Sequence, residues 1–595
     1  MKKDNGNLFV AIGLSLLVVF AWQYFYASPQ LEKSRVAHEM AVKQQAAEKT
    51  AAPVALPEAA NPEAPGSRSR ADALAGGGRL AINTAKLSGS ISLKGARIDD
   101  VSLRAYHVTI DPKSANIVLL TPPGTPDAFF AEVGFVPQPG SGVALPNAET
   151  LWSGEGELTV EHPLTLSFDN GQGLLFTRKI SLDDQYLFTI LDGVENKGAA
   201  PVAFFAHASV LRQGHPPPSG YAIVHEGLAG VVGDNRLQEI TYDEILKEPG
   251  QSRALKGEGG WLGITDKYWA GAIIPDQKKP FNALFSATGT QVKTYKTDAL
   301  GELTTLEPGS SASIKTQLFA GAKETELLEK YQTSEGIKNF DLLISWGWFY
   351  FITKPMFYGL DWLYKITGNF GIAILLLTLV VKGLFFPLAN RSYESMAKMK
   401  KLQPMMEEIK TRFPDDKQKQ QQATMELYKK EKINPVAGCL PMLIQIPVFF
   451  ALYKVLFITI EMRQAPFYGW IKDLSVPDPT NVFNLFGLLP YNPATLPVLG
   501  AFLALGIWPV VMGISMFIQM KMNPEPTDPV QKQMFTYMPI IFTVMLGAQP
   551  SGLVIYWTWN NLLSVLQQGL IMKKAGAKIE LWDNLVALFR GKAKA

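Results

Sequence analysis

Six apolar runs decide most of what this chain can fold into: 8–26, 370–389, 435–460, 496–520, 535–548 and 553–572. A helix needs about 20 apolar residues to cross a hydrocarbon core of about 30 Å. Five runs approach or exceed that length. The fifth in order is short and reaches it only if 530–534 is added. Between the first run and the second lies a long stretch with no candidate span. The composition agrees with such a mixture. Hydrophobic residues make up 47% of the chain and charged residues 18%, against about 25% charged in ordinary soluble domains. The net charge of +3 is too small to argue for nucleic-acid binding. The single cysteine, Cys439, excludes an intrachain disulfide, and the six histidines show no metal-ligand spacing.

The run 8–26 follows Lys2 and Lys3 and ends in Trp22, Tyr24, Phe25 and Tyr26. Signal-peptide cleavage needs small residues there, so 1–27 reads as an uncleaved anchor with its N-terminus in the cytoplasm. The segment 28–79 is rich in Ala, Pro, Glu and Gln. It cannot bury a core and reads as a flexible linker. From 80 to 338, short β-rich runs alternate with Gly, Pro, Asn and Asp turns, as at 80–83, 101–110, 117–120, 164–168, 186–192 and 202–208. This spacing predicts an all-β sandwich outside the cytoplasmic membrane.

Loop charges orient the remaining spans, expected at about 360–389, 435–460, 496–520, 530–548 and 553–572. The segment 390–432 holds eleven Lys/Arg against seven Asp/Glu, and the tail 573–595 six against two. The loop 462–495 has only Arg463 and Lys472 as cations. The positive-inside rule puts the first two in the cytoplasm and the third outside. Gln549-Pro550-Ser551-Gly552 reads as the tight turn of a helical hairpin. The aromatic segment 339–354 predicts a helix on the outer membrane surface, or else the start of the second span. The loop 391–432 predicts a cytoplasmic helical hairpin turning at Pro414-Asp415-Asp416. Met396, Met399, Leu402, Met406, Ile409 and Phe413 lie on one face of its first half. Methionine suits surfaces that accept many apolar partners, so Met396, Met399 and Met406 are candidate substrate contacts. A plain two-helix packing face accounts for them equally. The tail face Leu581, Leu585, Leu588 and Phe589 fits either an interfacial helix or a docking surface.

Lys382 is the charge inside the second span. A charge at mid-bilayer costs roughly 2.5–3.5 kcal/mol on insertion scales and marks a functional candidate. Lys382 is also near enough to the cytoplasmic end to snorkel, and on position alone both readings stand. Thr378 lies one turn earlier on the same face. The other spans bring Gln445, Ser515, Gln519, Tyr556, Asn560, Asn561, Ser564 and Gln567. Polar groups should avoid lipid, so a wet inward cavity with Lys382 at its centre is expected. Taken singly, each polar residue is also explained by ordinary bonding between helices. No acidic residue lies clearly within a span, and Glu461 stands at the outer end of the third. Walker A, HExxH and GxSxG motifs do not occur. No catalytic residue, metal or cofactor is therefore expected, and the chain is not read as an enzyme.

The stretch 395–457, beginning SMAKMKKLQPMMEEIK, closely resembles the YidC/Oxa/Alb family of membrane protein insertases. MRQAPFYGWIKDLS, TDPVQKQMFTYMPIIFTVML and PSGLVIYWTWNNLLSVLQQ do so too. GWLGITDKYWAGAIIP at 260–275 resembles the external domain of the Gram-negative YidC form. The resemblance implies an inner-membrane protein that inserts and helps fold newly made membrane proteins, alone or with the Sec translocon. Nascent membrane proteins, Sec components, the ribosome and membrane lipids are the implied partners. The implied fold is a five-span core over 355–572 with a hydrophilic groove, plus a periplasmic β-supersandwich like sugar-mutarotase folds. With the anchor, this gives six spans and both termini in the cytoplasm. The family's groove charge falls on Lys382, with Thr378, Gln445 and Tyr556 beside it. Its greasy exit path falls on Ile446, Pro447, Phe450 and Met545. The chain departs from the family in three places. It has Lys where Arg is usual at 382, a longer outer loop over 480–496, and an amphipathic tail. The rival classes are a membrane-anchored carbohydrate-processing enzyme and a channel or transporter.

Overall fold

The computed structural model describes residues 68–216, 224–290, 292–347, 349–414, 416–431, 440–489, 491, 493, 500–503, 505–523, 529–574 and 576. The expected anchor, most of the linker, the start of the third span and nearly all of the tail lie outside them.

Two sheets build the β-rich part. The larger runs from Ser252–Glu258 through Pro280–Thr288, Thr294–Leu306, Val202–Gln213, Phe129–Pro137, Arg97–His107, Leu87–Ser92 and Arg79–Asn83 to Glu157–Leu158. Asn116–Leu120 pairs with Arg97–His107 off this path. The smaller sheet runs from Gln238–Thr241 through Gly227–Val232, Gly260–Thr265, Trp269–Ile274, Ser311–Ala322, Leu187–Asn196 and Leu174–Leu182 to Leu164–Asp169. Alternate residues from Leu174 to Leu182 are buried, the period of a strand with one face on a core. Four of the six runs singled out in the sequence lie wholly in strands; 101–110 overruns its strand after His107, and 186–192 begins one residue before Leu187 opens its strand. The linker ends earlier than expected. Arg70–Ala75 is a short helix whose Asp72 amide donates to the Ser69 hydroxyl at 3.1 Å, and Arg70 pairs with Asp100.

A helix, Thr325–Ser334, and a single 3-10 turn, Phe340–Leu343, lead out of the sandwich. The helix expected over 339–354 is displaced. After the turn the chain is extended at Ile344, and helix α1 runs Tyr350–Thr367. Trp261 packs edge-on against Phe340 at 5.9 Å, and Trp346 against Phe357 at 5.8 Å. One hydrophobic core therefore continues from the sheets into the helices.

The helices that follow are α2 (Phe370–Leu384), α3 (Phe386–Lys401), α4 (Gln403–Arg412), α5 (Lys417–Lys430), α6 (Leu440–Ile458), α7 (Ile507–Met522), α8 (Pro529–Gly547) and α9 (Ser551–Lys574), with a separate helical turn at Gly500–Leu503 ahead of α7. The expected unbroken span 360–389 is broken twice. Left-handed Gly368 ends α1, and the Asn369 side chain accepts from the Ile372 amide at 3.1 Å to start α2. At Phe385, α2 and α3 diverge by 69°. Pro387 explains this bend: it has no N–H for the Gly383 carbonyl, and its ring crowds that carbonyl. Pro404 likewise separates α4 from α3. The run 496–520 is not one helix either. Gly506 is extended, and α7 starts only at Ile507. Its first amides are capped from a distant loop: Ile507 donates to Thr480 Oγ1 and Trp508 to Asp478 Oδ2, both at 2.9 Å. Among the described residues no single helix is both long and apolar enough to cross a membrane. The bent pair α2 and α3 together passes that test.

Candidate functional site

Three helices meet around Lys382. It stands on α2, one turn before the Pro387 bend, with Thr378 a turn further back. From α6 comes Gln445. From α9 come Tyr556, Asn560, Ser564 and Gln567, at spacings of four and three that keep them on one face. Trp559 Nε1 donates to the Leu375 carbonyl at 3.2 Å and fixes α9 against α2.

Lys382, Thr378, Gln445, Tyr556 and Asn560 line one hollow together with Met356, Leu377, Val381, Val448 and Leu452. A second hollow continues past Lys382 to Phe385, Ala389, Tyr393, Gln445 and Gln567, with about 430 Å³ of empty space open to the outside. Lys382 Nζ donates to Ser564 Oγ at 2.7 Å, and Tyr393 bonds the same serine. Ser564 Oγ in turn donates to the Asn560 carbonyl at 2.8 Å. Gln445 Nε2 donates to the Tyr556 hydroxyl, and Thr378 Oγ1 to the Ile374 carbonyl at 2.7 Å. Among the described residues no carboxylate reaches Lys382. Asn560 Oδ1 and Gln567 Nε2 are buried without a protein partner. Such atoms call for water or a visiting polar group. The hollow is thus a cationic, hydrogen-bonding concavity with bonding capacity left over.

Two expected members lie elsewhere. Ser515 is buried between α7 and α9, where it accepts from Asn561 Nδ2 at 3.0 Å and donates to the Met512 carbonyl. Gln519, half-buried on α7, lines neither hollow. Ser515 thus faces the packed seam with α9 and not the hollow. Ser564 and Gln567, which the spacing 556, 560, 564, 567 puts on one face, both reach the site: Ser564 bonds Lys382 and Gln567 lines the second hollow. Tyr393 has no such signal in the sequence, because only the bend after Phe385 turns α3 back over the hollow.

The expected exit path is apolar and largely exposed. Ile446 and Phe450 on α6 and Met545 on α8 are exposed, as are Tyr537, Ile540 and Ile541; Pro447 is half-buried inside α6. The candidate methionines of 391–432 are mostly turned inward. Met396 is buried against Tyr393 and Ile571, Met399 packs against that cluster, and Met406 accepts from the Tyr428 hydroxyl at 3.4 Å. Met405 and Met425 are the exposed pair.

Glu461 is not a plain interfacial residue. In the turn Ile460–Met462, its Oε1 accepts from the Thr325 amide at 2.9 Å and so caps the helix leaving the sandwich, while Oε2 is buried without a partner. Burial pushes this carboxyl up to about 7. Nearby, Lys323 donates to Thr265 Oγ1 at 2.9 Å and to the Asp266 carbonyl at 2.6 Å, and burial pulls it down to about 8.

Two family profiles match the chain: one described as YidC periplasmic domain over residues 79–359, and one described as 60Kd inner membrane protein over 362–578. The membrane protein insertase YidC of Beijerinckia indica is 60% identical, covering 100% of both chains. That of Methylobacterium nodulans is 54% identical over 99% of this chain and 98% of the relative. A crystal structure described as active YidC insertase with the first transmembrane domain resolved aligns over 82% of this chain and 91% of its own, at 18% identity and a TM-score of 0.34. The chain belongs to the YidC family of membrane protein insertases, inner-membrane proteins with a periplasmic domain.

Proposed function

We propose that the hollow around Lys382 is the groove that receives the polar flank of a nascent membrane protein from the cytoplasm. In this reading six spans cross the inner membrane with both termini in the cytoplasm, and the sandwich lies in the periplasm. A bent α2–α3 pair and short neighbours give a core with a shallow, open cytoplasmic side. Water and the side chains of Gln445, Tyr556 and Asn560 lower the cost of desolvating the substrate's polar groups. Lys382 attracts its acidic groups. The apolar segment of the substrate then slides along Ile446, Pro447, Phe450 and Met545 into lipid, driven by hydrophobic burial. An acidic charge carried outward through the whole field gains about 2.3 kcal/mol per 100 mV. No nucleotide enters this scheme. The basic hairpin and tail meet the ribosome, and longer substrates are shared with the Sec translocon.

The observation that carries this reading is the convergence of Lys382 with the unpartnered amide of Asn560 in one open hollow. The test is reconstitution into liposomes with a short single-span substrate whose external tail is acidic, scored by protease protection. Lys382→Ala lowers insertion and Lys382→Arg preserves it. Equal insertion by the Ala variant at matched protein levels removes Lys382 from the mechanism.

A further inference from the structure

The outer loop that leads into α7 has an organisation the groove does not need. No charged residue stands between Asp478 and Lys521. Within this stretch Phe483, Leu485, Phe486, Leu488, Leu489 and Tyr491 are all exposed, Leu488 at 81%. Residues 481–489 and 491 are nevertheless tied together by their own polar atoms. The amides of Phe483 and Asn484 donate to Asn481 Oδ1, at 2.8 and 3.3 Å. Those of Leu485, Phe486, Leu488, Leu489 and Tyr491 donate to carbonyls within the loop at 2.9–3.3 Å. The Tyr491 hydroxyl donates to the Phe483 carbonyl at 2.7 Å. At its base the Val482 amide bonds the Leu505 carbonyl at 2.9 Å and Asn481 Nδ2 the Leu503 carbonyl at 2.8 Å. Each of these amides thus has an internal acceptor while the apolar side chains point outward. Water makes no such demand, whereas hydrocarbon does.

Two further features agree. Leu485 and Phe486 have φ of +50° and +62°, a left-handed conformation unfavourable for bulky side chains. Both side chains remain more than half exposed, so burial within the protein offsets only part of it. In addition, α7 has 16 residues, about 24 Å of helix against a hydrocarbon core of about 30 Å. The loop sits on the N-terminal end of α7. That is the end at which Ser551 and Gly552 of α9 bond the carbonyls of Val476 and Leu474, and the side on which α6 hands over to Glu461 and the sandwich. The missing thickness and the apolar loop therefore coincide on the periplasmic side.

We propose that the loop carrying Leu485, Phe486 and Leu488 inserts into the outer leaflet of the inner membrane and contacts lipid acyl chains. It completes the hydrophobic thickness that α7 lacks. A protein partner is disfavoured because the exposed side chains carry no charge and the amides of 483–486, 488, 489 and 491 are already used within the protein. The proposal rests on the span reading above, and its test separates the two. Spin labels are placed singly, by Phe486→Cys, Ile540→Cys and Lys113→Cys, in full-length protein carrying Cys439→Ser. The protein is reconstituted at high lipid excess, and labels are compared for accessibility to oxygen and to a water-soluble nickel chelate. Ile540 is exposed on α8 and Lys113 lies in an exposed turn of the sandwich. The expected oxygen-to-nickel ratio at 486 is several-fold above that at 113 and comparable to that at 540. A water-like ratio at 486 beside a lipid-like ratio at 540 overturns the loop proposal alone. Shielding of 486 from both reagents also overturns it, in favour of a protein contact. A water-like ratio at 540 overturns the span reading itself.

Discussion

Two cations of this chain, the buried Arg178 and the half-buried Lys382, stand under opposite arrangements. Arg178 lies on an inner strand of the sandwich and is 1% exposed. Its Nε and Nη2 grip Asp192 across the neighbouring strand at 2.7 and 2.9 Å, and its guanidinium lies 5.0 Å from the Trp152 ring. Strand register puts residues 178 and 192 directly opposite each other. Lys382 has one serine hydroxyl, two adjoining hollows and no carboxylate among the described residues. The first cation is closed off by a fork that matches its partner. The second has no ionic partner among the described residues, and in the function proposed above it meets an acidic group of the substrate.

The largest expected effect breaks the first half of that comparison. Arg178→Met leaves Asp192 buried and unpaired, which costs about 3–5 kcal/mol. The sandwich should melt well below the wild type in a near-ultraviolet circular dichroism scan, and insertion should fall only as folded protein falls. Lys382→Met is the matched change in the helical part. It removes a charge with no ionic partner, so the unfolding midpoint stays or rises. Insertion of acidic-tailed substrates drops about ten-fold, the loss of one charge-assisted hydrogen bond of about 1.5 kcal/mol. If Lys382→Met melts early, or Arg178→Met folds normally yet fails to insert, the division of roles is wrong.

Glu461 lies between the two cases, half-satisfied and at the junction of sandwich and helices. Burial is the main cause of its raised pKa; the Thr325 amide lowers it, and the charge of Glu324 adds to the rise. A carboxyl with a folded value of about 7 against 4.5 ordinarily holds more protons folded than unfolded. Its contribution is complete below about pH 4.5 and is lost as pH rises through about 7. The size is on the order of 3 kcal/mol. Glu461→Gln should flatten the stability profile between pH 5 and 8 in a thermal scan. An unchanged slope would mean that the carboxylate is solvated and that the junction carries no proton.

The sequence exposed these contrasts unevenly. Alternation and turn residues located the sandwich strands, because half-buried strands write their period into the chain. Helical spacing and the scarcity of charge brought Lys382, Thr378, Gln445, Tyr556 and Asn560 into one site. Spacing tells which way a residue faces and not which neighbour it meets, so Ser515 was assigned to the groove although it faces the α9 seam. Long apolar runs also hide their breaks. Pro387 bends the second run only in concert with the space that receives α3, and Gly506 ends a helix that Asp478 and Thr480 cap from a distant loop. Arg178 and Asp192 look like any solvated pair in sequence, since only register makes them opposite and only the second sheet buries them.

The smallest expected effect repeats the comparison among uncharged residues of the hairpin. Met396 is 9% exposed, packed on Tyr393 and Ile571, whereas Met405 is 49% exposed. Met396→Ala should cost about 2 kcal/mol, the low end for a buried methionine, and loosen α3 over the hollow. Met405→Ser should change stability by less than about 0.5 kcal/mol. If the exposed methionines touch passing substrates, Met405→Ser still lowers photocrosslinking from a probe in the nascent chain to α4, while Met396→Ala leaves the per-molecule yield of folded protein unchanged. The reverse pattern would return substrate contact to the buried face, and would require the hairpin to open before a chain can enter.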